Sequence, residues 1–165
     1  MAERPEFAEF VAARSPALLR TARLLTGDWA SAEDLLQDSL AKCWRRWSRI
    51  SGNLEPYVQK VMLHTYLAWS RRLWNRERPT EVLPERQVDD TTGRIVDEDA
   101  VQAAVRRLPR RQRAVVVLRY FDDLTEAETA RLLGISTGTV KSQTSKALAA
   151  LRVDEGLDRT RTEVG

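Results

Sequence analysis

One cysteine, Cys43, and one histidine, His64, are all that the 165 residues hold of those two types. No disulfide can close within the chain, which suits a reducing compartment. A zinc site built from cysteine and histidine is excluded by count, and no metal or cofactor is expected. Glycine is scarce, at seven residues, and β-branched runs are short, so little here favours a sheet. No apolar run approaches a membrane span, and the opening MAERPEFAEF lacks a signal-peptide pattern. There is no G-x-x-x-x-G-K-S/T phosphate loop and no recognisable nucleophile–base set, so no catalytic residue is expected. The expectation is a soluble cytoplasmic protein with no membrane insertion.

What is present is apolar enough, at 42%, for compact cores rather than general disorder. The net charge is only +3, but it is unevenly spread. Residues 1–78 carry +4, 79–99 carry −5, 100–152 carry +6 and 153–165 carry −2. Two basic modules joined by an acidic strap fit polyanion binding by the modules; ordinary solvated faces are the plainer alternative.

The chain reads as all-α, with two small helical domains joined by a flexible acidic linker. A first helix starts near Pro5, and Ser15-Pro16 has the form of an N-cap followed by proline at the first helical position. A second helix is expected to open near Ser31, with Asp34 at capping-box spacing. Ser51-Gly52-Asn53 marks a turn, and Glu55-Pro56 opens a long helix. From Pro79 to about Asp97 the periodicity disappears. It resumes with Val101, Ala104, Val105 and Leu108, is punctuated by Pro109, and continues in RRQRAVVVLRYF. Thr125 and Glu128 form a further capping-box spacing.

The stretch GISTGTVKSQTSKAL, from Gly134 to Leu148, keeps few large apolar groups and many hydroxyls. Taken with Glu126–Leu133 it has a helix-turn-helix pattern. Ala130 allows close helix approach, Gly134 permits a left-handed turn, and Ile135 plugs the corner while Val140, Ala147 and Leu151 face inward. In such units the second helix enters the major groove. Its outward face holds Thr137, Lys141, Ser142, Ser145 and Lys146, flanked by Thr139 and Gln143. Lysine suits guanine acceptors, glutamine suits adenine, and hydroxyls suit several edges or phosphates. A plain helical hairpin with a solvated face is the alternative.

The wider context resembles a known family. LPRRQRAVVVLRYFDDLTEAETARLLGISTGTVKSQTSKALAALR resembles region four of bacterial sigma factors. AEDLLQDSLAKCWRRW and YVQKVMLHTYLAWSRR resemble region two. With only these two regions and a strap, the chain looks like the extracytoplasmic-function group, in an actinobacterial-like form. The resemblance implies an alternative sigma factor, which joins core RNA polymerase, directs it to promoter DNA and helps separate the strands.

It also implies residue roles. The upstream element, about thirty-five bases before the start, would be read by Thr137, Thr139, Lys141, Ser142, Gln143, Ser145 and Lys146. Arg110, Arg111 and Arg113 are candidates for phosphates. Asp34, Gln37, Asp38 and Ala41 share one helix face that would dock on a coiled coil of the polymerase. The turn with Arg49, Ser51 and Asn53 would capture a flipped base of the downstream element, about ten bases before the start. Lys60, His64, Arg71 and Arg72 would add backbone contacts, and Trp74 would stack on a base, whereas Trp69 falls on the apolar stripe. His64 stands where many relatives have asparagine, and Thr129 and Thr144 where relatives carry larger apolar residues. The resemblance further allows an anti-sigma partner. A helix-turn-helix regulator that binds duplex DNA without polymerase is the rival reading, and the strap and region-two pattern argue against it.

Overall fold

The computed structural model describes the backbone of residues 5–76 and 96–162, and the side chains of 5–69 and 100–153. Helix α1 spans Pro5–Thr26, α2 Trp29–Arg46, α3 Leu54–Arg76, α4 Val96–Arg107, α5 Arg110–Val116, α6 Glu126–Leu133 and α7 Thr137–Thr162. A 3-10 turn, Trp47–Arg49, follows α2, and a π-helical turn, Val117–Phe121, follows α5. No strand occurs among the described residues.

Local capping chemistry sets the starts of α2, α6 and α7 and the end of α6. Asp28 caps α2: its Oδ1 accepts from the Ser31 amide at 2.8 Å, and the Ser31 hydroxyl donates to Oδ2 at 2.8 Å. Ser31 is thus the inner partner of that cap and not its start. Thr125 and Glu128 form the reciprocal box expected at α6. Gly134 ends α6 in the left-handed region, at φ +66°. Ser136 then caps α7, its Oγ accepting from the Thr139 amide at 3.1 Å.

One expectation fails within α1. No helix starts at Ser15-Pro16: α1 runs through Pro16 and forfeits one intrahelical bond there. Packing outweighs that loss, because Leu18, Thr21, Ala22 and Leu25 beyond the proline are all buried. Helix α4 opens at Val96, inside the stretch expected as strap, and the remainder of that stretch, 79–95, lies outside the described residues. Helix α7 continues to Thr162, through most of the expected tail.

One apolar cluster runs from Leu18, Leu25, Leu35, Met62 and Tyr66 of the first module to Val105, Leu118 and Ala147 of the second. The modules therefore pack on each other through a shared core. Val115, Ala130 and Val140, with Leu133 and Ile135 against them, form a separate knot at the helix-turn-helix corner. Gly27 lies where α1 meets α4 of the second module. It sits at φ +93°, and a Cβ there would lie 3.0 Å from the Arg106 Nε.

Thr129 is fully buried in the α6 face, and its hydroxyl has no hydrogen-bond partner among the described residues. Thr144 differs, its Oγ1 donating to the Val140 carbonyl at 2.7 Å. An unpaired buried hydroxyl costs about 1–3 kcal/mol. Thr129→Val should therefore stabilise the protein by about 1 kcal/mol, seen as a higher urea midpoint at unchanged slope.

Candidate nucleic-acid interface

Helix α7 projects from a corner held by the Gly134 turn and the Ser136 cap. Thr137, Lys141, Ser142, Ser145 and Lys146 are exposed along it. Thr139 and Gln143 are half-buried, and they line a small cavity together with Leu67 of α3 and Ile135. The Thr139 hydroxyl lies 2.9 Å from that of Ser136. Lys141 Nζ is 3.8 Å from a Glu126 carboxylate oxygen, a loose surface pair. Near the start of this face, a Cβ on Gly138 would meet only the Ser136 Oγ, at an ordinary 3.8 Å. Nothing in the protein itself requires glycine there.

The first module presents a second polar face. Arg49, Ser51 and Asn53 are exposed between α2 and α3. Asn53 also has a structural role, its Oδ1 accepting from the Glu55 amide at 3.2 Å. Lys60 and His64 lie four residues apart on α3, both exposed. Trp69 packs against the core, as its place on the stripe implies. Arg71, Arg72 and Trp74 fall in the last turns of α3, outside the residues whose side chains are described.

On α2, Asp34, Gln37, Asp38 and Ala41 are all exposed on one side, while Ala32, Leu35, Leu36, Ser39 and Cys43 are buried on the other. Asp38 has a neighbour of opposite charge in Lys42, at 3.8 Å, and Lys42 also donates to the Thr65 hydroxyl at 3.1 Å. Two carboxylates and an amide are thus held on a helix whose opposite side is anchored in the core.

The three arginines read as phosphate candidates separate sharply. Arg111 is exposed. Arg110 lies over the Tyr66 ring, 5.6 Å from its centroid. Arg113 is turned inward: its guanidinium donates to the carbonyls of Val105 at 3.2 Å, Leu108 at 3.2 Å and Leu25 at 2.8 Å, and also to that of Arg106. A group spent on four carbonyls is not available to a phosphate in this conformation. Its sequence neighbours gave no sign of this, because Leu25 is 88 residues away.

Among the described residues, no group of three or more His, Cys, Asp or Glu is placed to hold a metal ion. Among the described residues no helix is long and apolar enough to cross a membrane.

Sequence comparison accounts for both modules in order. Residues 10–76 match the model for sigma-70 region 2, and 98–151 match that for sigma-70 region 4. The chain belongs to the sigma-70 family, in its extracytoplasmic-function group. Similar curated sigma factors are the RNA polymerase sigma-E factor of Streptomyces coelicolor, 43% identical over 92% of this chain and 87% of its own, and the factor SigM of Mycobacterium tuberculosis, 34% identical over 81% and 69%. Solved sigma factors share the fold. RpoE of Bartonella quintana, bound to the anti-sigma factor NepR, superposes with a TM-score of 0.70 at 22% identity, over 90% of this chain and 96% of that one. CnrH, in complex with the cytosolic domain of CnrY, gives 0.67 at 18% identity, over 95% and 92%.

Within this sigma factor Arg113 caps the C-terminal ends of α4 and α1 at once, where helix dipoles favour a cation. Lysine, a point charge without a fork, cannot reach both. Arg113→Lys should lower stability by about 2 kcal/mol, read from urea denaturation followed by circular dichroism.

Proposed function

We propose that the chain acts as the promoter-reading subunit of an RNA polymerase, through two modules with separate tasks. Residues 1–78 dock on the enzyme and engage the downstream element. Residues 100–152 read the upstream element. The acidic stretch 79–99 joins them, and the tail 153–165 begins within the last helix, which runs to Thr162. It works in the cytoplasm by binding alone, and the catalysis belongs to the polymerase.

The observation that carries this reading is the pairing of regions 2 and 4, in order, with an exposed polar face on each. A regulator that bound duplex DNA alone would have no use for the α2 docking face. On α7, Thr137, Lys141, Ser142, Ser145 and Lys146 are free to reach base edges, with Thr139 and Gln143 at the margin. Gly138 removes a side chain where the helix start would approach the DNA backbone most closely. Asp34, Gln37, Asp38 and Ala41 suit a basic helix of the enzyme. In the first module, Arg49, Ser51 and Asn53 form the base-capturing turn. Lys60, His64, Arg71 and Arg72 follow the backbone, and Trp74 stacks.

Energetics explain why the polymerase is needed. Separating four base-pair steps costs about 6 kcal/mol, at about 1.4 kcal/mol each. Stacking one or two captured bases returns roughly 1–3 kcal/mol apiece. The chain alone therefore nucleates a bubble without holding it open. An anti-sigma factor is the expected inhibitor, because the solved relative RpoE is bound to one.

In-vitro transcription with purified core polymerase and a promoter library tests this. Specific transcripts should appear only when the chain is added; duplex binding without polymerase, and no transcripts, would favour the regulator. Lys141→Ala should reduce use of the upstream element roughly tenfold, the worth of one base contact of ~1–3 kcal/mol. Asp38→Arg should weaken holoenzyme assembly on the order of tenfold while leaving helicity unchanged, measured by co-elution with core polymerase.

A further inference from the structure

The seam between the modules is only partly apolar. A cleft of about 440 Å³ opens along it, lined by Arg14, Arg20 and Thr21 of α1, Glu55 and Gln59 of α3, and Asp122 beyond α5. Thr21 Oγ1 donates to Asp122 Oδ1 across the seam at 2.9 Å. Asp122 Oδ2 is buried without a hydrogen-bond partner among the described residues. Arg113 also crosses, to Leu25, but its bonds to Val105 and Leu108 lie within its own module and survive separation.

The backbone that carries Asp122 is unusual. It leaves the π-helical turn with its amide donating to the Val117 carbonyl at 3.0 Å, and the Leu124 amide donates to Leu118 at 3.0 Å. Asp123 follows at φ +53°, in the left-handed region that side-chain-bearing residues seldom adopt. Such turns concentrate at positions with a conformational role.

The closed arrangement conflicts with promoter binding. Leu67 of α3 and Gln143 of α7 line one cavity, and His64 is less than a turn from Leu67. The two promoter elements lie roughly twenty-five base pairs apart, about 85 Å of B-DNA at about 3.4 Å per step. One molecule closed in this way cannot grip both.

We propose that the Thr21–Asp122 contact is a latch that holds the two DNA-facing modules together in the free protein and must release before both elements are engaged. The functional meaning rests on the reading above, whereas the latch is a property of the free chain.

The latch depends on protons. Burial raises the Asp122 carboxyl above its ordinary value of 3.8, the Thr21 hydrogen bond opposes this, and Glu55 and Asp123 push it further up. Arg14, Arg20 and Arg23 face the cleft from α1, with Arg14 paired to Glu55; α4 contributes Val101 and Gln102, which do not titrate. When the modules part, water restores the ordinary value, so the closed form binds the proton more tightly. Closure is favoured in full below the ordinary carboxyl value and weakens as pH rises through the raised one.

Fluorescence distances on the full chain test this, with dyes at Glu33→Cys on α2 and Ala127→Cys on α6, both exposed. Cys43 stays unlabelled, being buried with its thiol pushed up to about 11. The short-distance population should grow as pH falls through the raised Asp122 value towards the ordinary carboxyl value. Thr21→Val, nearly isosteric, should lower the closed-to-open ratio about fivefold to tenfold. Asp122→Asn keeps an acceptor for Thr21 without the charge, so it should raise the closed fraction and abolish the pH response. A single long distance at every pH, or a pH response that survives Asp122→Asn, overturns the latch. Absence of promoter-specific transcripts would instead sink the functional reading and leave these distances unchanged.

Discussion

A charged guanidinium inside the seam is the constraint on which the packing of this sigma factor depends. Burying an unpaired cation costs several kcal/mol, so Arg113 must find acceptors or be expelled. It finds them at the ends of two helices, taking Val105 and Arg106 from α4, Leu108 just beyond, and Leu25 from α1. Those carbonyls lie at helix ends, where acceptors run short of donors, although the Leu108 amide also reaches Val105 at 3.1 Å. Each side thus satisfies the other, and the first turn of α5 is fixed against both modules. Burial pulls the Arg113 pKa down, but not to a point where a guanidinium loses its proton near neutrality. Gly27 makes the arrangement possible by leaving room for Arg106 beside the end of α1.

The recognition corner was legible in the sequence because its determinants are local. Gly134 must be left-handed, Ser136 must cap, and Thr125 with Glu128 must close a box, all within a dozen residues. The α2 face was legible for the same reason: a helical repeat puts Asp34, Gln37, Asp38 and Ala41 together whatever the rest of the chain does. Local rules failed where distant packing overrode them. Ser15-Pro16 has the form of a helix start, but the buried residues beyond it and the half-buried Phe7 and Phe10 before it keep α1 whole. Ser31 has the form of a cap, yet Asp28 is the stronger acceptor and sits one position before α2. In the sequence Arg113 is a candidate for phosphate together with Arg110 and Arg111, yet it is turned inward. Its distinction from Arg111 is a matter of which carbonyls lie opposite, and no local pattern encodes that.

The seam mixes two kinds of contact with different consequences. The apolar part, Leu18 and Leu25 against Val105 and Leu118, is non-directional and tolerates small shifts. The polar part is directional: Thr21 and Asp122 either meet at 2.9 Å or do not. A wholly apolar seam of this kind would resemble a domain interior and hold permanently. The cleft with its arginines and the buried carboxyl reduces the penalty for letting water in. An interface of this composition favours association with an escape route, which suits a protein that has to change partners.

Closure leaves most of the α7 face exposed, so access to DNA by one module alone is not what the seam controls. It controls separation. Lys141, Ser142, Ser145 and Lys146 remain open to duplex in the closed form, while Thr139 and Gln143 are drawn toward α3. A basic module of this kind attracts duplex through phosphates alone, in a manner that weakens with salt. In the proposed function, selective reading also uses the flanking positions, and melting falls to the first module, some 85 Å away along the duplex at about 3.4 Å per step. Non-specific attraction is therefore compatible with the resting form, and promoter commitment is not. If α2 docks on the polymerase as proposed, the enzyme rather than the seam sets its distance, and that docking supplies the differential affinity a population shift requires.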